Sequence, residues 1–101
     1  MSTNNGGPRP ESHVKISKSV YARAFGAEIV LLDFNRGEYF GLDEVGAEVW
    51  RRLEAGDSLN RVAEVIVELY EVQKETALAD VLNLVATLSE HSLVSIEPTA
   101  A

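Results

Sequence analysis

The chain has no cysteine and only two histidines in 101 residues, and each scarcity removes a class of function. Without cysteine there is neither a disulfide framework nor a thiolate metal site, and an intracellular, cytoplasmic setting fits. No apolar run approaches the roughly 20 residues that span a bilayer. Met1–Ser12, rich in Asn, Gly, Pro and Ser, lacks the apolar stretch of a signal peptide. His13 adjoins this segment, and His91 falls in the last turn of a predicted helix, where an imidazole interacts well with free carbonyls. No spacing groups a Ser, a His and an Asp, and there is no HExxH and no glycine-rich phosphate loop. A chain of this length builds a modest core and leaves little material for a catalytic cleft. The sequence therefore predicts a protein that is not an enzyme, with no catalytic residue, no cofactor and no metal ligand.

What is present is an ordinary globular composition: 46% hydrophobic and 25% charged residues, enough for one domain. The net charge of −7 is unevenly placed. Residues 1–42 carry 4 acidic and 5 basic residues, whereas residues 43–101 carry 12 acidic and 4 basic. The second part repels nucleic acid and anionic membrane, because binding to either begins with neutralising phosphate.

Residues 1–12 read as a disordered tail, 13–97 as the folded domain and 98–101 as a short C-terminal tail. Val14 to Ser17 is an extended lead-in. Val20 to Phe25 reads as a strand broken by Gly26, and Ala27 to Phe34 as a second, apolar on both faces and hence central. Asn35-Arg36-Gly37 is a turn. Glu38-Tyr39-Phe40-Gly41-Leu42 returns as a third strand and runs without a loop into a helix capped by Asp43. That helix ends at Gly56, a second starts at the N-cap Ser58 and runs to about Tyr70, and a third spans about Lys74 to His91. Leu93, Val94 and Ile96 suit a last short strand. The predicted fold is α+β: a three-stranded antiparallel sheet followed by a three-helix winged helix-turn-helix.

Tyr39 and Phe40 are neighbours on a strand and so face opposite ways; one packs inward and the other faces solvent or a partner. Trp50, between Val49 and Leu53, reads as a core anchor. On the third helix, Leu78, Val81, Leu82, Val85 and Leu88 make the main apolar stripe. Ala77, Asp80, Leu84 and Thr87 make a second, mixed face suited to lining a groove opposite the third strand. Carboxylates at Glu64, Glu68, Glu71 and Glu75 form a wet face. DNA binding is the rival reading, yet the third helix has one lysine, no arginine, and Glu75, Asp80 and Glu90.

The run Leu42-Asp43-Glu44-Val45-Gly46-Ala47-Glu48-Val49-Trp50, followed by Gly56-Asp57-Ser58-Leu59, Val62-Ala63, Leu69-Tyr70, Asp80-Val81, Leu88 and Leu93-Val94, resembles the PqqD-like family over about residues 14–97. Its members include the stand-alone leader-binding proteins of lasso-peptide biosynthesis, the RiPP recognition elements. The resemblance implies binding of a precursor's leader peptide as an added strand between the third strand and the third helix. It also implies delivery of that precursor to a separate maturation enzyme, most simply a leader peptidase. One departure is Ser92, where the family often has glycine.

Carried over residue by residue, the expected peptide site has Glu38, Tyr39, Phe40, Gly41 and Leu42 as the pairing strand. Val30 and Leu32 belong to its sheet side, and Ala77, Asp80, Val81, Leu84 and Val85 to its helix side. The expected partners are a precursor leader peptide and a leader peptidase or other maturation enzyme, with no nucleic acid and no membrane, the chain being a monomer or weak dimer. The alternatives are a winged-helix DNA-binding regulator and a PQQ-type peptide chaperone for a radical SAM enzyme.

Overall fold

A computed structural model describes residues 7–97. The elements in chain order are β1 (Val14–Ile16), β2 (Val20–Phe25), β3 (Glu28–Asp33), β4 (Glu38–Leu42), α1 (Glu44–Glu54), α2 (Leu59–Tyr70), α3 (Lys74–Glu90) and β5 (Val94–Ile96). The antiparallel meander β2-β3-β4 and the three helices agree with the sequence reading. The lead-in and the last strand join each other: β1 pairs antiparallel with β5 in a separate two-stranded sheet, Lys15 opposite Ser95.

Local chemistry sets the joints. Gly26, at φ +63°, opens the two-residue loop between Phe25 and Glu28, the place where a hairpin turn requires positive φ. At the other end of β3 the buried Asp33 carboxylate accepts from Ser19 Oγ and from the Asn35 backbone N–H, both at 3.0 Å, so one side chain fixes the corner shared by β2, β3 and β4. The Asp43 carboxylate accepts from Gly46 N at 2.8 Å and starts α1 one residue after β4 ends. Ser58 caps α2 through Arg61 N. Ser92, in place of the family's frequent glycine, takes the left-handed conformation at φ +61°. The Leu93 N–H still donates to Leu88 O at 2.9 Å, so α3 keeps the helix-ending bond that runs back five residues.

The core lies between the sheet and the helices. Ile29, Leu31 and Leu42 from the sheet meet Val49, Trp50 and Leu53 of α1, Val62 and Ile66 of α2, and Val81, Val85 and Leu88 of α3. Trp50 is the largest fully buried side chain, as expected, and its indole N–H donates to Glu54 at 3.0 Å.

The expected tail divides differently. Residues 1–6 and 98–101 lie outside the described residues. The segment just before residue 13, expected to be disordered, is tied to α2 instead. Ser12 is buried, its carbonyl accepts from Leu59 N at 3.0 Å, and Pro10 O accepts from Asn60 N at 2.7 Å. These two carbonyls satisfy amides at the start of α2 that have no partner within the helix.

Candidate functional site

The register of the meander decides what β4 offers. The Phe34 N–H donates to Ser19 O at 3.1 Å, continuing the β2–β3 ladder by one step. On a central antiparallel strand the backbone groups of successive residues point alternately to the two neighbours. Glu28, Val30 and Leu32 therefore bond toward β2, and Ile29, Leu31 and Asp33 toward β4. Their partners on β4 are Leu42, Phe40 and Glu38. Tyr39 and Gly41 are left with both N–H and C=O directed away from the sheet, toward an edge that no strand covers among the described residues.

That edge has a wall beside it. α3 packs on α2 and β5, while β4 packs on β3 and more lightly on α1. Between β4 and α3 runs a groove of about 560 Å³. Phe40, Gly41 and Leu42 line it on the strand side, and Ala77, Asp80, Val81 and Leu84 on the helix side. Its floor is apolar: Leu42, Ala77 and Val81 are buried, and Leu84 and Phe40 half-buried. Its carboxylates are Asp43, engaged in capping α1, and Asp80, which is exposed. A second depression of about 780 Å³ continues past Phe40 along the start of β4. It is bounded by Glu38, Tyr39, Leu32 and Phe34 on one side and by His91 and Leu93 on the other. Phe40 belongs to both, and the His91 ring lies 5.4 Å from the Phe40 ring. The concave track thus follows the whole of β4.

Of the residues expected on sequence grounds, Phe40, Gly41, Leu42, Ala77, Asp80, Val81 and Leu84 come together in the groove. Glu38 and Tyr39 lie at its extension. Three residues are placed elsewhere. Val85 is fully buried in the core, so it supports the groove from behind and does not line it. Val30 pairs with Gly41 and Leu32 with Tyr39, and paired residues share a face. Both therefore lie on the outer face of the sheet, opposite the buried face of Ile29 and Leu31. Leu32 still reaches the second depression, but neither residue lines the groove beside α3. Sequence reasoning missed Val45, Val49 and Ile66, which complete the groove. Val45 and Val49 are legible as an i, i+4 pair directly after the pairing strand, a spacing that marks one face of α1 but not what that face meets.

The electrostatics near the groove are acidic. Tyr70, at the end of α2, has its phenol pushed above the ordinary 10.0, first by lost hydration and then by the negative charges of Glu44 and Glu48. Its O–H donates to Glu44 at 3.5 Å. Among the described residues no group of three or more His, Cys, Asp or Glu side chains is placed to hold a metal ion.

Comparison with known proteins places this arrangement. TbiB1, solved in complex with the TbiA(beta) leader peptide, is 33% identical, with a TM-score of 0.76 over 86% of this chain and 99% of that one. A lasso peptide synthetase B1, complexed with the leader peptide, is 29% identical with a TM-score of 0.76 over 85% and 99%. The PqqD truncation of Methylobacterium extorquens PqqCD, a stand-alone RiPP recognition element, shares the fold at 17% identity and a TM-score of 0.75 over 89% and 96%. No curated protein matches the chain. Residues 28–94, from the start of β3 to the start of β5, match the family of coenzyme PQQ synthesis protein D, and the chain belongs to that PqqD family.

Proposed function

We propose that this protein is a non-catalytic recognition element that binds the leader peptide of a ribosomally made precursor and presents it to a maturation enzyme of lasso-peptide type. The observation that carries the reading is the unpaired edge of β4 beside the α3 groove. An extended peptide added there meets two N–H and two C=O groups, those of Tyr39 and Gly41. Four such bonds at about 0.5–1.5 kcal/mol each are blind to sequence. Selectivity comes from side chains: alternate residues of an added strand point into the groove, where the apolar floor gives about 1.5–3 kcal/mol per well-buried side chain. Two such anchors, after the ordering cost of a disordered peptide, reach micromolar affinity or better.

The two similar structures solved with leader peptides support this reading. The acidic α3 favours it over a DNA regulator: the one cation of that helix, Lys74, lies 3.8 Å from Glu64. The reading places the chain in the cytoplasm with its precursor; no helix among the described residues is long and apolar enough to cross a membrane.

Titration of the full chain with a fluorescently labelled leader peptide tests the proposal. Saturable binding is expected, competed by unlabelled leader and not by a scrambled one. Equal binding of the scrambled peptide, or tight binding of duplex DNA in its place, overturns it.

A further inference from the structure

The outer face of the meander is uncovered, and its chemistry differs from that of the rest of the surface. Register places Tyr21, Arg23 and Phe25 of β2, Val30 and Leu32 of β3, and Tyr39 of β4 on this one face. Tyr21, Phe25 and Tyr39 are 56%, 63% and 72% exposed, and Phe34, 68% exposed, stacks edge-on against Tyr21 at 5.1 Å. So many large exposed rings on one face of a small domain mark a contact surface.

The cations divide in the same way. Arg51, Arg52, Arg61 and Lys74, all on the helices, each sit within 4 Å of a carboxylate. Lys15, Lys18, Arg23 and Arg36, on and around the strands, have no ion pair among the described residues. In a chain of net charge −7, one of these unpaired cations, Arg23, stands between Tyr21 and Phe25 on the aromatic face, and Arg36 lies in the turn that follows Phe34.

We infer that this aromatic and basic face docks the maturation enzyme, through an apolar patch on that enzyme rimmed by carboxylates, and that a bound leader enlarges the docking surface. The inference rests on the leader-binding reading above. An added strand beside β4 extends the sheet from three strands to four, and every second leader side chain then stands on the outer face beside Tyr39. The enzyme meets protein and leader as one surface, so it binds the loaded form more tightly than the empty one. By linkage, the enzyme tightens leader binding by the same factor. Glu28, opposite Phe25 on this same face, together with the acidic helices, disfavours a nucleic-acid polyanion here.

The test uses the full chain, the labelled leader peptide and the purified leader peptidase that cleaves the same precursor. Arg23→Glu and Phe25→Ser alter exposed side chains remote from the β4 groove. Each is expected to leave leader affinity within about twofold and to weaken peptidase binding by about tenfold or more. Wild-type peptidase binding should strengthen when leader is added and weaken as salt is raised. Unchanged peptidase affinity in both variants overturns the inference. So does a leader-independent affinity, a wild-type dimer that both variants dissociate in sedimentation, or RNA binding that Arg23→Glu abolishes. Failure of the wild-type chain to bind leader at all is a separate result, and it strikes the reading beneath.

Discussion

The sheet has two free edges, β2 and β4, with the same backbone chemistry and opposite surroundings. β2 is exposed along nearly its whole length; of the other elements it packs closely only on β3, and even Ala22 and Ala24 on its inner side reach solvent. β4 runs beside α3 and α1, with Phe40 half-buried and Leu42 buried. An edge alone offers hydrogen bonds that any extended chain can use. An edge beside a helical wall also offers pockets, and pockets distinguish one peptide from another. The difference assigns recognition to β4, and each substitution below would either separate the two edges further or erase the distinction.

The largest effect is expected from Phe40→Pro. Register directs the Phe40 N–H into the β3 ladder opposite Leu31, so proline deletes an interior bond and leaves a buried carbonyl without its donor. The cost is about 3 kcal/mol, seen as a fall in Tm of more than about 10 °C, with leader binding lost as a consequence. A folded Phe40→Pro protein of wild-type Tm would mean that the register has been read one residue out of phase and that Phe40, not Tyr39 and Gly41, faces the free edge.

Leu84→Asp acts on the wall. Leu84 is half-buried at the groove, four residues along from Asp80 on the same side of α3. Losing its apolar surface and adding a carboxylate weakens the leader by about 2 kcal/mol, or about 30-fold, while far-ultraviolet circular dichroism stays helical. Loss of the helical signal would make Leu84 a core residue and remove the wall from the comparison.

Much of this contrast was legible in the sequence. Periodicity located the three helices, Asp43 and Ser58 marked the starts of α1 and α2, and Gly26 marked the β2–β3 turn, because capping and turn chemistry are local. The β4 segment and the Ala77, Asp80, Leu84 face of α3 were also legible, since each is a pattern within one element. Facing across strands was not. Val30 and Leu32 were expected on the sheet side of the groove, beside Tyr39 or Phe40, yet a strand shows only that alternate residues differ. Which set is buried depends on where α1 and α2 pack, and that is a contact between elements. Val85 was misplaced for the related reason that the core stripe and the groove face of α3 are adjacent on one helix. The docking of Ser12 on α2 had no local signal, because it consists of two backbone carbonyls finding distant amides.

The smallest effects make the most direct comparison, a matched pair of prolines. Gly41 and Ala22 each point their N–H away from the sheet, Gly41 from β4 and Ala22 from β2. A proline at either position costs no ladder bond, and a side chain built on Gly41 meets nothing within 4 Å. Both variants should therefore fold. At Gly41 the ring removes one donor from the incoming strand and crowds its approach, so leader affinity should fall by about tenfold, the order of one lost hydrogen bond with its acceptor left unpaired. At Ala22 leader affinity should stay within about twofold of wild type, as for other exposed positions away from a contact. Equal losses in the two variants would mean that the leader reads sheet integrity and not one edge. A loss at Ala22 alone would move the site to β2, where no helix supplies a pocket and the bound peptide would have to be chosen by its backbone alone.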